Sequence, residues 1–164
     1  MPTIDQEEFS SAIPAEARAR IEKLANSLLE RYKVSAPPVP IDQILKDPLL
    51  DLWDVDPTQV SSSFGHGLFR HAPRLASARL LYRAISESAA ARQAGLDAPW
   101  PASRREVKYF ARCVLMPEAW IRRLADADRV IDSITEKFQV PPFDVIVRLG
   151  ELGLPVPDTS APKA

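Results

Sequence analysis

Cysteine and histidine are scarce in this sequence of 164 residues. Cys113 is the single cysteine, so no intrachain disulfide can form, which fits a reducing compartment. The two histidines, His66 and His71, lie outside any His-Glu-x-x-His motif. No apolar run approaches the roughly 20 residues that a membrane helix needs, and the acidic start of the chain is unlike a signal peptide. We therefore expect one ordinary domain of a cytoplasmic, bacterial-type protein.

The chain also lacks a large net charge of either sign, since its net charge is −1. Its charged residues are, however, unevenly distributed along the sequence. Residues 1–69 hold 6 Lys/Arg against 11 Asp/Glu, residues 70–123 hold 11 against 4, and residues 124–164 hold 4 against 7. This basic middle with acidic flanks has two interpretations. Either the acidic ends fold over the basic middle, or the middle contacts an anionic partner.

The hydrophobic pattern predicts an α+β fold with a long N-terminal helix, a small antiparallel sheet and a C-terminal set of helices. The first helix should begin at Pro14 and run to about Tyr32, because its apolar residues repeat every three or four positions. A proline-rich connector then leads to a short helix at 41–45. We expect residues 1–13 to form a flexible N-terminus and residues 155–164 a loose tail.

The sheet is predicted from short segments in the first half of the chain. Residues 49–55 and 61–69 are expected to be strands. Residues 74–81 are either a third strand or the approach to a helix at 82–94, because their periodicity does not distinguish the two.

Helices are predicted through the rest of the chain, at 103–115, 118–127, 131–138 and 142–152. In the first of these, one face is apolar and should be buried. Its residues are Val107, Phe110, Ala111 and Val114. The basic residues Arg104, Lys108 and Arg112 recur every four positions on the other side, with Arg105 beside them.

Three pieces of the chain resemble the ImmA/IrrE metallopeptidase family, in the family's order. The first is Pro37-Pro38-Val39-Pro40-Ile41-Asp42-Gln43-Ile44, after the first helix. The second runs from Glu106 to Pro117, with the run Phe110-Ala111-Arg112-Cys113-Val114-Leu115-Met116-Pro117, and is followed by Glu118-Ala119-Trp120. The third consists of the stretches 134–140 and 145–154. The second resembles the helix that follows the family's zinc helix, and the third its helix-turn-helix ending. The resemblance implies a zincin-like scaffold at 14–127, with helix-turn-helix-like helices at 128–154 packed on it.

The zinc motif of that family is missing. Its helix would fall at 79–90, where two registers are open and neither restores an imidazole. The residues at the His, Glu and His positions are Ala84, Ile85 and Ser88 in one register, and Ser86, Glu87 and Ala90 in the other. These residues cannot supply the three ligands of a catalytic zinc site. We expect a pseudopeptidase with no metal and no cofactor.

Two carboxylates are residual catalytic candidates. Glu106 aligns approximately with the family's third, acidic ligand, but it also has the spacing of a capping-box partner for Ser103. Glu87 is either a remaining general base or a solvated residue on a helix surface.

Other residues that could bind metal or react have ordinary explanations as well. His66 and His71 could bind a metal with Asp54 or Asp56, or could be surface or hydrogen-bonded histidines. Cys113 adjoins apolar helix positions, so we expect a small core residue and not a nucleophile.

The helix-turn-helix-like ending is a poor candidate for DNA binding. Residues 141–153 offer only Asp144, Arg148 and Glu151, with a net charge of −1, so packing or dimerisation is the better interpretation. If nucleic acid binds, we expect it to contact the basic residues Arg104, Arg105, Lys108, Arg112, Arg122 and Arg123.

The leading hypothesis is a non-catalytic, ImmA/IrrE-like regulatory protein that acts through protein–protein contact. The resemblance implies a partner such as a helix-turn-helix repressor, in a phage, mobile-element, stress or toxin–antitoxin setting. Its binding surface for the partner or for an anionic group would be Arg104, Arg105, Lys108 and Arg112. The alternatives are a zinc peptidase with ligands rearranged around His66, His71 and Glu106, and a nucleic-acid-binding module.

Overall fold

The computed structural model describes residues 13–49, 53, 71–88 and 104–157. Within these ranges the chain forms seven α-helices and one short 3₁₀ turn. The α-helices are α1 Ala15–Arg31, α2 Ile41–Lys46, α3 Ala72–Glu87, α4 Arg104–Leu115, α5 Glu118–Arg122, α6 Ile131–Phe138 and α7 Pro142–Glu151, and the 3₁₀ turn is Asp126–Asp128. No helix in the described ranges is both long and apolar enough to span a membrane.

The predicted apolar stripe of α1 is confirmed residue by residue. Its buried side chains are Ala17, Ile21, Leu24, Ala25, Leu28 and Leu29. The helix ends where Lys33 adopts a left-handed backbone conformation with φ 55°. That turn lets the backbone N–H of Val34 donate to the carbonyl of Leu29 at 2.9 Å, which satisfies one of the last carbonyls of the helix.

The prediction of an α+β fold with a small antiparallel sheet on a zincin-like scaffold is wrong. The regular secondary structure of the described residues is helical, and these residues contain no strand. Of the three predicted segments, 61–69 lies outside the described residues, as does most of 49–55, and 74–81 lies within helix α3.

The spacing of its apolar residues explains why 74–81 is helical. The buried residues of α3 recur every three or four positions, a helical period that continues beyond the predicted strand. They are Leu75, Ser77, Ala78, Leu81, Tyr82, Ile85 and Ser86. Pro73 lies in the first turn, where a missing backbone N–H costs no helical hydrogen bond. The eight-residue window was too short to show this period clearly.

Helix α4 is the centre of the structure. It packs against α1 and α3 and also contacts α7. Eight of its twelve residues are buried, including Phe110, whose ring stacks on Tyr82 with 4.8 Å between centroids. The predicted stripe of Val107, Phe110, Ala111 and Val114 is therefore confirmed as core.

The C-terminal helices α6 and α7 pack against each other, with bounds close to those predicted. Helix α6 ends at Gln139, which has a left-handed backbone conformation with φ 53°. Gly153, with φ 66°, ends α7 in the same way. Residues of α6 and α7 belong to the same hydrophobic cluster as α1, α3 and α4. The segment 118–127, predicted as one helix, is instead the short α5 followed by a turn.

Candidate functional site

The basic residues of α4 do not share one environment. Arg104 and Arg105 at its start are exposed, and Lys108 is half-buried. Arg112 is held in an ion pair with Glu151 of α7, through Nε at 2.9 Å and Nη2 at 2.5 Å to the same carboxylate oxygen. Its side chain is only 11% exposed. The basic residues of α4 are thus exposed only at its N-terminal end, and Arg112 is part of an internal contact.

The ion pair of Arg112 belongs to a polar network built around Arg148. Arg148 lies on α7 and is 1% exposed, which makes it one of the most deeply buried large side chains. Its Nε donates to the carbonyl of Met116 at 3.0 Å, and its Nη1 donates to Glu22 Oε1 at 3.2 Å. Glu151 Oε2 lies 3.7 Å from the same Nη1. The network therefore ties α7 to α1 and to the end of α4.

Glu22 is the residue of α1 that contacts this network. Besides Arg148, its Oε1 accepts a hydrogen bond from the Tyr109 hydroxyl at 2.9 Å and lies 3.9 Å from Cys113 Sγ. Burial, together with the nearby thiol and the Glu22 carboxylate, raises the pKa of Tyr109. These groups hold α1 and α4 together, and sequence analysis missed Glu22 and Tyr109 because each reads as an ordinary residue of an amphipathic helix.

Cys113 is confirmed as a core residue. It is 2% exposed, and burial raises the pKa of its thiol to about 12, although the positive charge of Arg148 opposes that effect. A thiolate is the reactive form of cysteine, so this side chain is unsuited to nucleophilic catalysis near neutral pH.

Asp144, at the start of α7, is a second buried acidic group. It is 8% exposed, and burial raises its pKa even though Arg112, Arg79 and Lys108 favour its charged form. Arg79 comes from α3 and the other two cations from α4, so the carboxylate lies where three helices meet. The positive charge of the middle of the chain is thus partly matched by acidic residues of its C-terminal part, as one of the two interpretations of the charge pattern expects.

The two residual catalytic candidates lie on α3 and α4. Glu106 is buried, and its charge adds to burial in raising the pKa of Tyr82. Glu87 is the last residue of α3 and is exposed. Of the residues that the sequence resemblance aligns with a zinc motif, Ile85 and Ser86 are buried, and the Ser86 hydroxyl donates to the carbonyl of Arg83 at 2.9 Å. These positions are filled by core packing and a local hydrogen bond.

The histidine-based metal site can be placed only in part. His66, Asp54 and Asp56 lie outside the described residues, and His71 is half-buried at the left-handed position that precedes α3. Among the described residues, no three His, Cys, Asp or Glu side chains form a group that could hold a metal ion.

A further anchor missed by sequence analysis is Arg74 on α3. Its Nη2 donates to the carbonyl of Val39 at 2.6 Å, and its Nη1 to Gln139 Oε1 at 3.4 Å. Ser77, one turn later, donates to Asp42 Oδ1 at 2.5 Å. These contacts join α3 to the start of α2 and to the α6–α7 turn.

The outward face of α7 is apolar, and we call Phe143, Val147 and Gly150 the α7 face. Phe143 is 47% exposed, Val147 is half-buried and Gly150 is exposed. The ionisable side chains Asp144 and Arg148 are buried instead. Helix α7 consequently presents to solvent none of the basic or amide groups with which a recognition helix reads DNA bases.

A scan against protein-family models, a search of curated proteins and a search of solved structures each return no match for this chain.

Proposed function

We propose that the chain is a non-catalytic protein-interaction domain whose contact surface is the α7 face. The observation that carries this proposal is that α7 exposes an aromatic side chain, Phe143 at 47%, although it buries the cation Arg148 at 1% beside its apolar core residues. A helix at the surface of a folded domain normally exposes its charged residues to water and buries its aromatic residues. Phe143 and the half-buried Val147 lie one helical turn apart, so their apolar surfaces adjoin, and contiguous apolar surface is a feature of protein contact sites.

The polar groups near α7 are committed to internal contacts. Arg148 and Glu151 bind Glu22 and Arg112, so they hold α7 in place against α1 and α4. A helix fixed by buried ion pairs presents its outer face in one orientation, and a rigid surface loses little conformational entropy on binding. This arrangement suits recognition of a partner.

The partner class rests on the sequence resemblance alone. The segment from Glu106 to Pro117 resembles the ImmA/IrrE family, and we propose on that ground a regulatory role with a helix-turn-helix regulator or a toxin–antitoxin-type protein. Arg104 and Arg105 are the exposed basic residues of α4. Guanidinium groups pair with carboxylates in bidentate fashion, so an acidic surface of that regulator would suit them.

Site-specific photo-crosslinking in the native host tests the proposal. The photoreactive residue p-benzoylphenylalanine replaces Phe143 in one variant and Asn26, exposed on α1, in a matched control. We expect a discrete protein adduct from position 143 that position 26 does not give. Equal crosslinking at both positions, or no crosslinking at position 143, would show that the α7 face is not a contact surface.

Two further measurements address the other functions raised by the sequence. One equivalent of zinc per chain, retained after mild chelation, would favour a peptidase with rearranged ligands. DNA binding that weakens steeply with salt and is lost in the Arg104→Glu, Arg105→Glu double variant would favour a nucleic-acid-binding module.

A further inference from the structure

We infer that the occupant of the α7 face is a second copy of this chain, docked with its own α7 antiparallel to the first. This inference rests on the proposed interaction function and names its partner. It depends on the positions of Phe143 and Gly150, which are seven residues apart on one face of the same helix.

The α7 face is self-complementary in an antiparallel pair. Seven residues make two helical turns, so Phe143 and Gly150 project from almost the same side, roughly 10 Å apart along the axis. A two-fold axis crossing the helix between Ile146 and Val147 brings Phe143 of each copy opposite Gly150 of the other. A two-fold interface requires this reciprocity. Every contact between a residue of one copy and a residue of the other occurs a second time with the two copies exchanged.

Among the described residues, nothing explains why position 150 is a glycine. A Cβ atom built on it would meet no atom within 4 Å, so no close neighbour requires a glycine there. Glycine weakens a helix relative to alanine, because it loses more backbone freedom on folding. A bare backbone at this position leaves room for the ring of Phe143 from the second copy.

The electrostatics of the α7 face favour the antiparallel arrangement. Phe143, Val147 and Gly150 carry no charge, so two copies can meet without burying an unpaired ion. The N-terminal end of a helix is partly positive and its C-terminal end is partly negative. Antiparallel docking places each positive end beside the negative end of the other copy.

The size of the contact makes the dimer weak. Helix α7 has ten residues and is roughly 15 Å long, so the helix pair alone falls below the area of a standard protein–protein interface. We therefore infer a reversible, concentration-dependent dimer, in which Arg104 and Arg105 of α4 lie outside the interface and stay exposed on the surface that would contact the regulator.

Sedimentation equilibrium of the full chain, from low-micromolar to near-millimolar concentration, tests the inference. We expect a monomer–dimer equilibrium that Phe143→Asp and Gly150→Glu each weaken by about tenfold or more, as loss of a central contact does. Combining Phe143→Lys with Gly150→Glu should restore association, because the symmetry places each new lysine beside a new glutamate of the other copy. Val130→Asp, at an exposed valine outside α7, is the matched control and should leave the equilibrium unchanged.

The outcomes separate this inference from the proposed function. A chain that stays monomeric at all concentrations, while position 143 still crosslinks to a different protein, overturns the second copy as occupant and leaves the interaction function standing. A dimer that Phe143→Asp does not weaken places the interface elsewhere and also overturns the inference. Thermal midpoints close to that of the wild-type chain would show that the variants are folded, since the substituted positions are exposed.

Discussion

The guanidinium group of Arg148 lies 3.2 Å from the carboxylate of Glu22, although the two residues are 126 positions apart in the chain. This contact joins α7 to α1. Arg148 also donates to the carbonyl of Met116, so one buried cation organises the packing of α1, α4 and α7. The exposed α7 face depends on this cation for its position.

Arg148→Met should destabilise the protein by about 3 kcal/mol, the lower end of the usual cost of removing one partner of a buried ion pair. Methionine keeps most of the side-chain volume, but it leaves Glu22 and Glu151 without their cation. Chemical denaturation monitored by circular dichroism measures the change. Arg123→Met, at an exposed arginine, is the control and should change the free energy of unfolding by less than about 0.5 kcal/mol. An equally small effect at Arg148 would mean that the network contributes little to stability.

Phe110→Ala should lower the free energy of unfolding by about 3–5 kcal/mol, because it removes a fully buried ring from the central helix. Part of the loss comes from the stacking contact with Tyr82. Phe143→Ala is a matched control for the same change at an exposed phenylalanine and should cost less than about 0.5 kcal/mol in the monomer. Similar denaturant midpoints for the two variants would show that Phe110 is not in the core.

Asp144→Asn should stabilise the protein near neutral pH. Burial raises the pKa of Asp144 in the folded state above its ordinary value of 3.8, so folding with a charged carboxylate is unfavourable there. The folded state binds this proton more tightly, and wild-type stability therefore falls as the pH rises from 3.8 through the raised pKa. Asparagine removes that penalty. Its advantage should shrink as the pH falls toward 3.8, as measured by denaturant unfolding at a series of pH values. An advantage that is constant with pH would contradict the raised pKa.

Cys113 should resist thiol reagents in the folded protein at pH 8, because its side chain is buried and its pKa is raised to about 12. Colorimetric titration of free thiols gives a clean test, since the chain has no other cysteine. The same sample should release a full equivalent of thiol once it is unfolded in guanidinium. Rapid stoichiometric reaction of the native protein would show that the thiol is accessible.

Gly150→Ala and Gly153→Ala should change the stability of the monomer in opposite directions. At Gly150, an added Cβ meets open space, so alanine should stabilise the helix by about 0.8–1.0 kcal/mol. Gly153 has φ 66°, a left-handed conformation in which alanine costs about 1–2 kcal/mol. Thermal unfolding at low protein concentration, where dimers are absent, compares the two variants. A loss of stability at Gly150 would reveal a contact within the chain at that position.

The sequence by itself determined the helices that bury a continuous apolar stripe. The core faces of α1 and α4 follow from spacings of three and four residues, and the bounds of α6 and α7 lie close to the predicted 131–138 and 142–152. Cys113 was recognisable as a core residue for the same reason. These features depend only on residues that are neighbours along one helix.

Only the tertiary structure decided the role of the charged residues and the class of the fold. From the sequence, Arg112 was expected on the protein surface and Arg148 was considered as a DNA contact. In the structure, each is held by a carboxylate from a distant part of the chain. Local spacing cannot show such a partner, because the free energy that buries an arginine comes from the helix packed against it. The eight residues of 74–81 were ambiguous because their helical period becomes clear only over the full length of α3. Packing of α3 against α2 and α4 then buries the apolar face of that helix.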